Sequence, residues 1–329
     1  MGLDVLVHAL AVLTAAWAAH HPGFGYGLSD THQVDGAVST SGGVVAWWGS
    51  EGGKDPRLTV WRRGRAPERL AIAMSPGHPL LDVGPGPDGA PWVVYPKCDK
   101  NACRIRGYDL RTRRDADLGV GAGVAAAIWR HDVLVYRQAR PRGPATLALA
   151  TIGGGAGRRL PLPRSSTGWG DPIGVDLRGD RMAYAAWEAG EDARVVTLSA
   201  GRIADAAQLP TIAFGGSGEE CTQTVSSPTL TASGLTWLAA VTATENDCGH
   251  HTRVLRHRDW ATGAVSHAQV LAVSPKEAVV AAGRVIALGP QPHDDGPDDR
   301  DACVPDDERA NGCQVRLTPP PRWLPGAGK

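Results

Sequence analysis

Short runs of apolar residues recur along nearly the whole chain, and turn-forming residues separate them. Apolar and polar residues alternate within many runs, as in RLTVW over residues 57–61, and this period of two predicts strands. The clearest runs are GGVVAWWG (42–49), GAPWVVYP (89–96), RHDVLVYRQ (130–138), GDRMAYAAW (179–187), ASGLTWLAA (232–240) and AGRVIALGP (282–290). Gly, Pro, Asp and Asn clusters between the runs supply the backbone angles that tight turns need.

Equivalent positions in these six runs are roughly 40 to 53 residues apart, which matches the length of one four-stranded propeller blade. The sequence therefore predicts an all-β fold, a six-bladed β-propeller of four-stranded antiparallel blades. The expected blades cover residues 30–73, 78–118, 120–163, 170–210, 225–272 and 274–325, within a single domain over residues 20–329. A pair of β-sandwich domains is the alternative, but no linker-like segment separates the six units.

The fourth strand of each unit is expected in a short leucine-containing segment. These segments are PERL (67–70), DADL (115–118), RRLPL (158–162), ADAAQL (204–209), SHAQVL (266–271) and PRWL (321–324). Four tryptophans of the apolar runs are expected to pack between blades: Trp47, Trp92, Trp187 and Trp237. The segment 24–28 is predicted to close the ring by pairing with the final strand at 322–324.

The N-terminus carries a candidate export signal. Residues 5–19 are an apolar stretch that ends in small residues, too short for a membrane span and of the right length for a secretory signal. Residues 1–19 are therefore predicted to be a signal peptide, and the mature protein is not expected to insert into a membrane. The first four residues contain no Lys or Arg, so a buried strand or helix is the alternative.

Six cysteines fall into three local pairs, Cys98 with Cys103, Cys221 with Cys248, and Cys303 with Cys313. Local disulfides are predicted, although six cysteines allow 15 connectivities. Reduced cytosolic thiols and a structural zinc site are the alternatives. With the signal, the cysteines predict a secreted, periplasmic or cell-envelope protein. The balance of 34 basic and 34 acidic side chains removes the electrostatic case for a nucleic-acid partner.

The interruptions of the repeat predict where binding occurs. In a propeller, the loops between second and third strands emerge on the same face as the connections to the next unit, and this is the loop face. All six cysteines map there, as do the long insertions at 211–227, 244–252 and 291–312. The candidate binding residues on this face are Glu219, Glu220, Glu245, Asp247, His250 and His251.

The last insertion is strongly acidic and is a candidate calcium site. Its proposed ligands are Asp295, Asp298, Asp299 and Asp301, because carboxylates beside a turn glycine suit Ca²⁺. Residues 295–303 resemble a thrombospondin type 3 calcium repeat, with one residue missing before Pro297 and only one copy present. The alternative is a solvated acidic loop closed by a Cys303–Cys313 disulfide.

The repeated strand pattern, such as GDRMAY over residues 179–184, resembles the TolB-like and WD-repeat-like propellers of bacterial envelopes. The resemblance implies a module that binds proteins or acts as a scaffold. We expect a monomer that binds a protein or another ligand through its loop face. The alternative is an extracellular carbohydrate-active hydrolase or lyase that uses loop carboxylates, with a carbohydrate partner. The first strands carry mostly Val, Ala, Gly and Ser, with Asp82 and Asp176 as exceptions, and this composition favours binding over catalysis.

Overall fold

The computed structural model describes residues 26–27, 33–34, 39–51, 54–63, 65–78, 80–99, 102–138, 145–162, 169–188, 195–216, 221–243, 252–269, 277–281, 284–290, 313–317 and 324–325, some of them by backbone alone. These residues form antiparallel sheets arranged as a β-propeller, which confirms the predicted fold class. Each of the six clearest apolar runs forms a strand. Within the described part, no helix has the length and apolar character needed to cross a bilayer.

Five sheets are blades built from strands that follow one another along the chain. In the first blade, two short strands share the innermost position. Its strands are β2 (Gln33–Val34), β3 (Ser39–Ser41), β4 (Val44–Glu51), β5 (Lys54–Arg62) and β6 (Glu68–Ala73), and both β2 and β3 pair with β4; β1 itself is Tyr26–Gly27. The second blade comprises β7 (Asp82–Pro85), β8 (Pro91–Cys98), β9 (Cys103–Asp109) and β10 (Arg114–Ala122).

The next three blades repeat this order. The third comprises β11 (Ala125–Trp129), β12 (Asp132–Gln138), β13 (Ala145–Thr151) and β14 (Arg158–Arg159). The fourth comprises β15 (Trp169–Arg178), β16 (Arg181–Glu188), β17 (Val195–Arg202) and β18 (Thr211–Gly216). The fifth comprises β19 (Cys221–Leu230), β20 (Gly234–Ala243), β21 (Thr252–Asp259) and β22 (Val265–Gln269).

The prediction of a six-bladed propeller is wrong, because the structure has five blades that are each built from consecutive strands. The last predicted unit supplies only β23 (Glu277–Ala281), β24 (Arg284–Pro290) and β25 (Cys313–Leu317), and β1 completes their sheet by pairing with β25. The final strand, β26 (Leu324–Pro325), pairs instead with β22 of the fifth blade. The N-terminal segment therefore does close the last sheet, but its partner is β25 and not the segment at 322–324.

The fourth strand of the fourth blade also differs from the prediction. The segment ADAAQL (204–209) lies largely in a 3₁₀ helix, Ile203–Gln208, and the strand is β18, which follows it. Three alanines without β-branched residues favour a helical turn, whereas Thr, Ile and Phe in TIAFGG favour a strand. The insertion predicted at 211–227 consequently contains β18 and most of β19 rather than a loop.

The core consists of apolar layers between consecutive blades. Because side chains alternate along a strand, Val93 and Tyr95 of β8 face the first blade while Val94 faces the third. In β16, Met182 and Tyr184 face the third blade, and Ala183 faces the fifth. The predicted packing role of the tryptophans is confirmed: Trp47 and Trp237 are buried, and Trp92 and Trp187 pack against these layers.

Candidate functional site

The inner strands of the five blades surround a small cavity, here called the axial pocket, at the end of the ring where first and second strands are joined. Its volume is about 160 Å³. The lining comes from the ends of all five inner strands and includes Ser41, Val83, Trp129, Asp176 and Thr229. The pocket therefore lies at the opposite end of the ring from the predicted loop face.

Asp82 is buried on β7, and its carboxylate joins three blades. Oδ1 accepts a hydrogen bond from Ser39 Oγ of the first blade (2.9 Å), and Oδ2 accepts one from the backbone N–H of Ile128 in the third (3.1 Å). The Ser39 hydroxyl also accepts a hydrogen bond from the Val83 N–H (2.9 Å). One side chain thereby holds β3, β7 and β11 together near the axis.

Asp176 has the equivalent role two blades further on. Its Oδ1 accepts a hydrogen bond from the Leu177 N–H (2.6 Å), and its Oδ2 accepts one from the Leu230 N–H of the fifth blade. The side chain is half-buried and lines the axial pocket. Asp82 thus links the inner strands of the first three blades, and Asp176 links those of the fourth and fifth.

Both axial carboxyl groups hold their protons more tightly than usual. Burial raises the pKa of Asp82 to about 6, although its hydrogen bonds act in the opposite direction. Burial also raises the pKa of Asp176 well above its ordinary value, and the charge of Asp82 raises it further. The ionisation of the two carboxyl groups is therefore linked, although they lie far apart in the sequence.

The chemistry open to this pair is limited by its hydrogen bonds. A general acid with a raised pKa is a feature of glycoside hydrolysis. Here, however, each of the four carboxylate oxygens already accepts a hydrogen bond from the protein. This arrangement suits inter-blade cohesion better than attack on a substrate or protonation of one.

The described part of the loop face centres on the hairpin of β8 and β9. Cys98 and Cys103 are direct cross-strand partners and form a disulfide, with Cα atoms 3.9 Å apart. Asp99 and Ala102 close the turn, since the Asp99 N–H donates to the Ala102 carbonyl (3.0 Å) and the Ala102 N–H donates to Asp99 Oδ1 (2.9 Å). This disulfide is the one predicted pair whose side chains are both described, and the structure contains it.

His78 lies beside this disulfide, and sequence reasoning did not identify it. Its Nε2 is 3.7 Å from Cys103 Sγ, and one ligand atom from each of His78, Cys98 and Cys103 lies within 4.8 Å of the other two. Burial lowers the pKa of His78, which favours the neutral imidazole. In the sequence, the Pro76-Gly77 pair could have drawn attention to His78, because Pro-Gly marks a tight turn that sets the direction of the residue after it.

Most of the predicted site residues lie outside the described part of the structure. These are the binding candidates Glu219, Glu220, Glu245, Asp247, His250 and His251, the calcium candidates Asp295, Asp298, Asp299 and Asp301, and the cysteines Cys248 and Cys303. Cys221 and Cys313 are described by backbone alone, as the first residues of β19 and β25. The predictions that rest on them therefore stay predictions.

A second, wider cavity of about 560 Å³ lies beside the axial pocket, between the third and fourth blades. Trp129 lines both cavities, and the guanidinium carbon of Arg178 lies 4.9 Å from the centre of its ring. The other walls carry exposed charges, among them Arg202 and Asp180, whose Nε and Oδ2 are 3.7 Å apart. Exposed pairs of this kind contribute little to stability.

No family model and no curated protein matches the sequence. The structure is similar to TolB from Acinetobacter baumannii at 14% identity and a TM-score of 0.41, over 64% of this chain and 52% of TolB. It is also similar to the β-propeller domain of the Trilobed protease from Pyrococcus furiosus, at 9% identity and a TM-score of 0.43, over 79% of each chain. The β-fructofuranosidase of Bombyx mori in complex with sucrose aligns at 10% identity and a TM-score of 0.39, over 93% of this chain and 65% of the enzyme.

These likenesses concern the fold alone. TolB and another β-propeller are among the similar structures, and the resemblance is one of fold only. The chain spans about half of the length of TolB, at 52%. The activity and the partners of this chain therefore have to be argued from its own residues.

Proposed function

We propose that this chain is an extracytoplasmic β-propeller that binds a protein partner through its loop face. The observation that carries the proposal is the hairpin of β8 and β9, whose ends at the loop face are joined by the Cys98–Cys103 disulfide. Rigid scaffolds that present loops in fixed positions are common binding surfaces. The sequence predicts the same face for the candidate binding residues Glu219, Glu220, Glu245, Asp247, His250 and His251.

The disulfide also supports the proposed location. Structural disulfides form and persist in oxidising compartments, and cytosolic thiols are generally kept reduced. A secreted or envelope-associated protein with a signal peptide over residues 1–19 is consistent with this bond. Export is tested by expressing the full chain in a bacterial host and sequencing the N-terminus of the exported form, where cleavage near residue 19 is expected.

Photo-crosslinking from two exposed alanines tests which face binds the partner. Ala102 lies in the hairpin turn of the loop face, and Ala232 lies at the mouth of the axial pocket, so both tolerate replacement by a photo-reactive residue. Cross-links to one protein of the cell envelope are expected from position 102 and not from position 232. Cross-linking from position 232 alone, or equally from both, contradicts binding through the loop face.

A carbohydrate-active hydrolase or lyase is the second candidate. The observation in its favour is the raised pKa of Asp176, which lines the axial pocket, although both of its oxygens accept hydrogen bonds from the protein. If this candidate is correct, the wild-type protein releases reducing ends from a panel of oligosaccharides, and Asp176→Asn abolishes this release while leaving the fold intact. Absence of release from the wild type, with partner binding retained, decides for the scaffold.

We also propose that the acidic segment around Asp295, Asp298, Asp299 and Asp301 binds Ca²⁺ as part of the same face. The support is the density of hard oxygen donors beside a glycine in the sequence. Isothermal titration with Ca²⁺ is expected to show one binding site, which is lost when Asp298 and Asp301 are both replaced by Asn. No heat at millimolar Ca²⁺ contradicts the proposal.

A further inference from the structure

The residues His78, Cys98 and Cys103 come from two separate segments of the chain that converge at one corner of the loop face. His78 ends the four-residue turn Ser75-Pro76-Gly77-His78, in which the His78 N–H donates to the Ser75 carbonyl (3.0 Å) and Gly77 has a φ of +73°. Proline followed by a glycine of positive φ is the signature of a type II turn. The turn therefore sets the direction in which the imidazole leaves the chain.

The turn is attached directly to the hairpin that carries the cysteines. The Cys98 N–H donates a hydrogen bond to Ser75 Oγ (2.8 Å), and Ser75 is buried. One side of the hairpin is thereby joined to the segment that presents His78. The position of the imidazole relative to the two sulfurs does not depend on the disulfide alone.

We propose that, once the disulfide is reduced, His78, Cys98 and Cys103 form a three-ligand site for a thiophilic divalent cation, with Zn²⁺ as the preferred ion. Two thiolates and an imidazole form a donor set typical of zinc, and a water molecule completes the tetrahedron. The hairpin then has two alternative closed forms, one held by a disulfide and one held by a metal.

The distances fit this coordination. Zinc lies about 2.3 Å from a cysteine sulfur and about 2.0–2.1 Å from a histidine nitrogen, so the sulfur–nitrogen edge of a tetrahedral site is about 3.6 Å. The distance between His78 Nε2 and Cys103 Sγ is 3.7 Å. All three candidate ligand atoms lie within 4.8 Å of one another, so only the sulfurs have to separate to admit an ion.

The conversion balances with a dithiol as reductant. The Sγ–Sγ bond of Cys98 and Cys103 breaks as it accepts two electrons and two protons, and the dithiol becomes a cyclic disulfide. Zn²⁺ then forms bonds with both sulfurs and with Nε2 of His78, and the two thiol protons pass to solvent. The imidazole must carry its proton on Nδ1 in this form. When the metal dissociates, the two thiols exchange with a cyclic disulfide, which takes up the two electrons and two protons to become the dithiol, and the Cys98–Cys103 bond forms again.

Site-resolved alkylation of the full-length protein tests the proposal. The protein is reduced with a dithiol, freed of excess reagent, and treated with N-ethylmaleimide with and without Zn²⁺, and each cysteine is followed by peptide mass spectrometry. Zn²⁺ is expected to slow alkylation of Cys98 and Cys103 by about tenfold or more, because a coordinated thiolate is a poor nucleophile. Equal rates with and without Zn²⁺ overturn the proposal.

Matched histidine variants make the test specific to this site. His78→Asn is expected to lose the protection of both cysteines, whereas His131→Asn, which changes an exposed histidine at the opposite end of the ring, is expected to retain it. Protection that survives in His78→Asn shows that histidine is not a ligand and overturns the three-ligand site. Circular dichroism of the reduced wild type is the accompanying measurement, and unfolding on reduction also overturns the proposal.

Discussion

At the scale of single residues, the inner strands are so close together that a side chain as small as a methyl group matters. A Cβ atom added to Gly84 on β7 would lie nearer than 3.0 Å to the carbonyl oxygen and to Cγ2 of Ile128 on β11. Both are parts of a neighbouring strand and not the end of a flexible side chain. Glycine at this position is therefore required by the approach of two blades at the axis.

Gly84→Ala is expected to destabilise the protein by about 3 kcal/mol or more, because the backbone of β11 has to move. Gly153→Ala is the matched control, since Gly153 has open space around it and a φ of +74°. It is expected to cost only the strain of a left-handed alanine, about 1–2 kcal/mol. Denaturant midpoints of the two variants are compared, and equal losses contradict the close-approach argument.

The axial carboxyl groups give stability an unusual dependence on pH. A carboxyl group whose pKa is higher in the folded than in the unfolded state takes up a proton on folding. Its favourable contribution is therefore present at low pH and is lost as the pH rises through the folded value. For Asp82 this window extends from about 4 to about 6, and Asp176 shifts in the same direction.

The free energy of unfolding of the wild type is therefore expected to rise relative to that of Asp82→Asn as the pH falls from 7 to 4.5, by on the order of 2 kcal/mol. Urea titrations at four pH values measure this difference.

Asp109 provides the control. Burial raises the pKa of Asp109, but hydrogen bonds from Thr112 and Arg111 outweigh this effect, and the net shift of the pKa is downward. The difference between wild type and Asp109→Asn is expected to stay flat over that range, and the same slope in both variants contradicts the assignment to Asp82.

At the scale of elements, the disulfide closes a short loop in a hairpin that the β8–β9 ladder already pairs. Cross-linking residues five positions apart removes little freedom from the unfolded chain, which corresponds to about 2 kcal/mol. The double variant Cys98→Ser/Cys103→Ser is expected to lose about that much stability and to keep its β-sheet circular dichroism. A loss of the folded signal would show instead that the hairpin depends on the bond.

The strands themselves were largely predictable, because a buried second strand needs a continuous apolar run bounded by turn residues. The sequence of β12, DVLVYRQ, and its partner β13 show this pattern clearly. The segment 204–209 was not predictable, because it has too few residues for the spacing of its apolar positions to distinguish a strand from the 3₁₀ helix that the structure shows at Ile203–Gln208. The axial pair and the His78 corner were not predictable, because each joins positions whose proximity depends on how blades meet in space.

At the scale of the whole molecule, the ring depends on a short N-terminal strand. Deletion of residues 1–29 removes β1 from the edge of β25, and deletion of residues 1–19 leaves β1 intact. The longer deletion is expected to melt at least about 2 °C below the shorter one, the shift that about 1 kcal/mol produces in a protein of this size. Equal melting temperatures in scanning calorimetry would show that β1 is dispensable.

The two-residue strands β1 and β26 each pair with an outer strand of a sheet, β1 with β25 and β26 with β22. An outer strand without a neighbour presents unpaired N–H and C=O groups to any extended peptide, including another copy of the same chain. By covering part of these edges, β1 and β26 are expected to reduce edge-to-edge aggregation as well as to add thermal stability. Their removal is therefore expected to lower solubility at high concentration, and not only the melting temperature.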